Sequence, residues 1–184
     1  MKKLKFLLYV IIIPFLFLNS CDSLPCCCFV GNNRIATEEG VIGAFSNVIS
    51  YGSYVVNVET GNNYSLTVET DENLLPYIIT SIQGNNLIIE TRNDRCIRSN
   101  EPILINIETR SLEKLKLAGS GVMNANNFTS SDLELELTGT GKIECKRITL
   151  DYLLAKISGS GLIELDGTTE TADYTITGSG LIRS

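Results

Sequence analysis

The chain has 184 residues, 15 basic and 21 acidic, a formal charge of −6 and no histidine. That balance excludes the basic footprint of a nucleic-acid binder. Without an imidazole there is no Ser–His dyad and no histidine metal ligand, and with aromatics at 7% no sugar-stacking row stands out.

Residues 1–20 read as a secretory signal. MKKLK is a positive start, and FLLYVIIIPFLFL is an apolar run of thirteen residues, short of the about 20 that a membrane span needs. Leu18-Asn19-Ser20-Cys21 resembles a lipobox, so Cys21 is expected to be the lipidated N-terminus of the mature chain. An acylated cysteine carries more than one chain, which anchors stably at about 0.8 kcal/mol per buried methylene. Cleavage removes Lys2, Lys3 and Lys5 and leaves twelve basic against 21 acidic residues, a charge of −9. The remaining 164 residues suit one domain with a continuous core.

Residues 21–40 read as a tether. Its Cys26, Cys27 and Cys28 are expected to be oxidised outside the cell rather than to bind metal, since no histidine and no second CxxC complete a four-ligand site. Asp22-Ser23-Leu24 matches a short bacterial O-glycosylation acceptor motif.

Residues 41–110 read as a hairpin-rich β cap. FSNVIS (45–50), YVVNV (54–58), YSLTVE (64–69), YIITSI (77–82), NLIIET (86–91) and ILINIE (103–108) are rich in β-branched and aromatic residues. Gly61-Asn62-Asn63 and Gly84-Asn85-Asn86 separate some of them and are expected to form tight hairpins. Nothing after the signal keeps a 3.6-residue apolar period, so the fold class is all-β.

Residues 111–184 are a repeat. LKLAGSGVM, LELTGTGKI, AKISGSGLI and YTITGSGLI place their first glycines at Gly119, Gly139, Gly159 and Gly178, in steps of 20, 20 and 19. Apolar or small residues recur at spacing two on either side: Leu117, Leu137, Ile157 and Ile176 before the triplet, Met123, Ile143, Ile163 and Ile182 after it. In a meander, copies would lie two strands apart, about 9.6 Å; in a stack of coils each lies about 4.8 Å from its equivalent. Close matching at equivalent sites favours the stack of about 20-residue coils. The glycines, Gly119, Gly121, Gly139, Gly141, Gly159, Gly161, Gly178 and Gly180, are then corner residues. The middle residues Ser120, Thr140, Ser160 and Ser179 present hydroxyls outward in register.

Several chemistries are weak by the same reading. The triplets precede strands rather than helices and no GK[ST] exists, which argues against nucleotide binding. The repeat aspartates Asp132, Asp151, Asp166 and Asp173 fall at unmatched offsets, unlike calcium-binding rolls. Glu144 and Glu164 are a carboxylate pair on adjacent coils, but on an outward face beside Lys142. Neither a metal nor a cofactor is expected. The loop containing Arg92, Arg95 and Arg98 is a candidate contact for an anionic glycan or lipid headgroup, with a solubilising loop as the alternative.

Taken together, the lipobox, the FSNV, Y.LTVE and GNNLII strand region and the L.LxGSG repeats resemble the auto-transporter adhesin head GIN domain family of Bacteroidetes-type envelopes, from about Phe45 to Ser184. The resemblance implies a right-handed parallel β-helix without catalytic residues. Family members usually continue with further coils, so the edge around Thr175 to Ile182 is expected to pair with another chain. The expected function is a non-enzymatic, lipid-anchored binding or adhesion module of the cell envelope, in the outer membrane, facing either periplasm or surface, with a glycan or protein ligand. A protein-binding envelope scaffold is the alternative, and a carbohydrate-active enzyme a more distant one.

Overall fold

The computed structural model describes residues 28–40 and 43–184. The signal segment, Cys21, the Asp22-Ser23-Leu24 motif, Cys26 and Cys27 lie outside the described residues. Fourteen strands appear in chain order among them: β1 Phe29–Val30, β2 Ile35–Glu39, β3 Asn47–Tyr51, β4 Val55–Thr60, β5 Ser65–Asp71, β6 Ile78–Gln83, β7 Asn86–Thr91, β8 Ile97–Arg98, β9 Leu104–Thr109, β10 Lys114–Gly119, β11 Val122–Gly139, β12 Lys142–Gly159, β13 Leu162–Gly178 and β14 Leu181–Arg183. Two single 3₁₀ turns, Leu75–Tyr77 and Arg92–Asp94, are the only helical pieces there.

One twelve-stranded sheet curls through most of the molecule. Its repeat half pairs parallel and in register. β10 lies on β11 with Leu115 opposite Leu135 and Leu117 opposite Leu137, and β11 lies on β12 with Met123 opposite Ile143 and Leu137 opposite Ile157. Bridges lapse at Asn127/Arg147 and at Ser131/Asp151, so each turn of chain bends there as well as at its glycine triplet. Asn127 and Arg147 take the left-handed conformation, φ 58° and 56°, and the Arg147 guanidinium donates to Asn127 Oδ1. The 19-residue step has its cause at this bend: Lys146 faces Asp166, Ile148 faces Gly167, and Arg147 has no counterpart.

The expected hairpin cap over 41–110 is corrected by the pairing of β3 and β4. β3 pairs parallel with β10 and β4 parallel with β11, so Gly52-Ser53 is a further corner, directly against Gly119-Ser120. β7 and β9 then pair parallel with β3 and β4. The reason lies in alternation: Val48, Ser50, Val56 and Val58 are buried at the positions of Leu115, Leu117, Met123 and Ala125. Antiparallel pairing is confined to β6 on β7, β5 on β9 and β2 on β5, which cover the N-terminal end. Gly84, φ 60°, makes the expected hairpin between β6 and β7. Gly61-Asn62-Asn63 does not make one, because β9 inserts between β4 and β5.

Inside the curl, the repeat side chains form columns. Leu115, Leu135 and Ala155 are fully buried, as are Leu117, Leu137, Met123, Ile143, Ile163, Ala125 and Cys145. Cys145 is a core residue whose thiol burial pushes up to about 12. At the last turn the columns run into the open: Tyr174 and Ile176, matched to Ala155 and Ile157, are 44% and 45% exposed.

Outside the curl, in-register stacking forces polar side chains on top of one another, and the chain chooses partners that tolerate it. Asn124 donates to Asn57 and Asn57 to Asn106, both at 2.9 Å, as an asparagine ladder. Lys116 and Glu136 meet at 2.8 Å, Lys114 lies 3.0 and 3.2 Å from Glu134 and Glu136, and Lys156 lies 3.0 Å from Glu134. Partial burial opposes ionisation of Glu134 and Glu136, but hydrogen bonds from Lys156, Lys116 and Lys114 hold both below the ordinary carboxylate range.

The two glycines of each triplet are needed for different reasons. The first is left-handed, φ 145°, 114°, 129° and 116° at Gly119, Gly139, Gly159 and Gly178, and a Cβ on Gly139 would stand 2.5 Å from the Gly119 carbonyl oxygen. The second carries no left-handed φ, but a Cβ on Gly141 would stand 2.6 Å from the Gly121 carbonyl. Backbone cannot yield to such contacts without shifting the register.

Gly139→Ala is therefore expected to lower the unfolding free energy by about 2–4 kcal/mol, read as a shift in urea midpoint, with Thr140→Ala changing it by under about 0.5 kcal/mol. The lysine–glutamate ladder sets a pH dependence. Carboxyls lowered from 4.5 contribute stability that is present above that value and lost as pH falls through their folded pKa. The urea midpoint should hold level near neutrality and fall below about pH 4.5. The fall should be shallower in a Glu134→Gln/Glu136→Gln double variant.

Candidate functional site

The corner row is the first candidate. Ser120, Thr140, Ser160 and Ser179 are all exposed, one per turn, on the edge made by the triplets. The row begins one member earlier than the repeat suggests: Ser53 and Ser120 share a hydrogen bond of 2.9 Å between their hydroxyls. Ser53 was hidden because Tyr54 replaces the second glycine there. Tyr54 is buried, and its hydroxyl pairs with that of Thr91 at 2.5 Å.

The space beside that corner is the second candidate. Between the Gly52–Tyr54 corner and the segment Arg95–Ile103 lies an open cleft of about 640 Å³. Ser53, Thr91, Arg95, Arg98, Ser99 and Asn100 supply its polar lining, and Glu101 stands in the same wall. A neighbouring recess of about 450 Å³ is lined by Tyr51, Gly52, Glu90, Thr91, Arg95 and Ala118, so Arg95 borders both. The structure thus brings Arg95 and Arg98 to the end of the hydroxyl row through Ser53. Arg92 sits in the same loop and lines neither recess.

This loop is held from several sides. A disulfide joins Cys28 to Cys96, and the strands that follow them, β1 and β8, pair parallel. Closing a loop of 68 residues removes roughly 4 kcal/mol of chain entropy from the unfolded state. The Arg95 guanidinium stands 6.0 Å over the Phe29 ring, which stacks on Tyr77 at 4.2 Å. The Ser99 hydroxyl donates to the buried Asp71 carboxylate at 2.5 Å. The sequence offers no signal for pairing Cys96 with Cys28 rather than with its two neighbours.

The carboxylate pair is the third candidate, and the structure places Glu144 opposite Glu164 as expected. Each is already engaged. Lys146 and Lys142 lie 2.7 and 3.5 Å from Glu144, and Lys142 and Arg183 lie 2.6 and 2.9 Å from Glu164. Hydrogen bonds from Lys146 and from Lys142 respectively lead the effects that hold both carboxyls below the usual range. A glycosidic general acid needs the opposite shift. Among the described residues no cluster of three or more His, Cys, Asp or Glu side chains could hold a metal ion.

Among solved structures, the chain superposes on a "Putative lipid binding protein" from Parabacteroides distasonis with TM-score 0.69 and 23% identity, covering 85% of this chain and 76% of that one. It also superposes on a "putative adhesin" from the same species (TM-score 0.61, 18% identity, 85% and 75% covered) and one from Bacteroides fragilis (TM-score 0.55, 13% identity, 84% and 99% covered). These likenesses establish a shared fold. Among curated proteins none matches. The family model described as "Putative auto-transporter adhesin, head GIN domain" matches residues 44–184, from β3 to β14. The chain belongs to the auto-transporter adhesin head GIN domain family.

Proposed function

We propose that this protein is a non-enzymatic binding or adhesion module of the cell envelope, held to a membrane by lipid on Cys21. Residues 1–20 are its signal, 21–40 its tether and 41–184 its GIN-type domain, with the curled sheet read as a right-handed parallel β-helix-like stack. The observation that carries this reading is the meeting of the exposed hydroxyl row with the arginine-bordered cleft. A polar edge of that kind offers repeated contacts to an extended ligand. The neighbours described as adhesins and as a lipid binding protein support a binding role without naming a ligand.

The test is a glycan array paired with a polysaccharide-depolymerisation assay on the full chain in detergent micelles. Binding without product release is the expected result. Product release contradicts the reading, and silence on both arms transfers the function to a protein-binding scaffold.

A further inference from the structure

We propose that the cleft takes an acidic glycan, with the sugar's oxyanion on Arg95 and Arg98, a ring on Tyr51, and the continuing chain along the hydroxyl row. This rests on the binding-module reading above and adds the ligand's chemistry to it.

The first support is charge that is left over. After the signal segment the chain has five lysines, Lys114, Lys116, Lys142, Lys146 and Lys156, and every one forms an ion pair with a glutamate. Arg34 and Arg183 are paired too. The other five arginines form no ion pair among the described residues; Arg110 and Arg147 donate instead to the Asn62 carbonyl and to Asn127 Oδ1, while Arg92, Arg95 and Arg98 share one loop, with Glu90 and Glu101 bordering the same recesses. Guanidinium groups match oxyanions through two parallel N–H donors, and the Arg95 guanidinium stands 6.0 Å over the Phe29 ring. In a protein whose mature charge is −9, attraction for an anion must be local to such groups.

The second support is what surrounds the arginines. Tyr51, 43% exposed, lines the recess next to Arg95 and offers an aromatic face beside a cation. Ser53, Ser99 and Asn100 give hydroxyl and amide groups of the kind that bond sugar hydroxyls, beside an apolar wall of Ile97, Pro102 and Ile103 that suits the C–H face of a ring. The third support is direction. From Ser53 the exposed hydroxyls continue through Ser120, Thr140, Ser160 and Ser179, one about every 4.8 Å. That arrangement suits a linear polymer better than a compact metabolite.

The experiment measures binding of the full chain in detergent micelles to immobilised polygalacturonate, hyaluronan and dextran sulfate, with neutral dextran and phosphatidylglycerol vesicles alongside. The expected result is binding to at least one acidic polymer at least tenfold tighter than to neutral dextran, and weaker as salt rises. Arg95→Gln/Arg98→Gln should lose tenfold or more, Tyr51→Ala should lose affinity for the same polymer, and Arg147→Gln, at the remote bend, should bind as the parent. An unchanged near-ultraviolet circular dichroism spectrum and an intact Cys28–Cys96 disulfide, read by mass spectrometry, show that the variants are folded. Binding to no acidic polymer overturns the proposal, as does binding unaffected by the arginine variants. Arginine-dependent binding to vesicles alone also overturns it, in favour of a lipid headgroup. Tight binding to neutral dextran would sink the acidic assignment while leaving the glycan-binding module intact, so the two readings fail separately.

Discussion

Everything in the molecule depends on how closely successive corners approach. The carbonyl of each first glycine accepts the backbone N–H of the middle residue one turn on: Thr140 to Gly119 at 3.1 Å, Ser160 to Gly139 and Ser179 to Gly159 at 2.9 Å. A side chain at the glycine would occupy the place of that contact. Once the corners touch, the register of the whole turn is set. The leucine and isoleucine columns, the asparagine ladder, the lysine–glutamate ladder and the hydroxyl row are consequences of the same alignment. With parallel in-register pairing of this kind, stability is largely a matter between neighbouring strands.

The repeat half was legible because parallel in-register stacking leaves a direct trace: equivalent positions must suit a copy of themselves. Leu117, Leu137 and Ile157 at one site, or Met123, Ile143 and Ile163 at another, have that character. The first half was legible as strands but not as stacking. β3 and β4 occupy the positions of β10 and β11, yet 67 residues separate Ser53 from Ser120 and Tyr54 stands where a glycine would be. No 20-residue period exists there to reveal the match. The left-handed bend at Asn127 and Arg147 was hidden for a related reason: asparagine and arginine share that place without sharing a side chain, and the next turn drops the residue altogether.

The candidate site shows the same division. The hydroxyl row and the arginine loop could each be named from residues alone. Their meeting could not, because it is produced by the long-range contact of Gly52-Ser53 with Gly119-Ser120 and by the Cys28–Cys96 bond. Glu144 and Glu164 illustrate the converse: in-register pairing brings them together and sets Lys142 and Lys146 against them as well. The proposed binding role therefore rests on the edge where the turns meet the arginine loop.

A paired-cysteine cross-link tests that arrangement most directly. In Ser53→Cys/Ser120→Cys the two sulfurs would replace hydroxyl oxygens 2.9 Å apart, within reach of a disulfide. In Ser120→Cys/Ser160→Cys the pair would stand two turns apart, at about 9.6 Å, beyond it. The stacked account predicts that the first variant loses two hydrogens on air oxidation, read by mass spectrometry, with recovery of a peptide cross-linked between the two substituted positions. The second variant should keep its added thiols free. Free, reactive thiols in the first variant would contradict the stacked account.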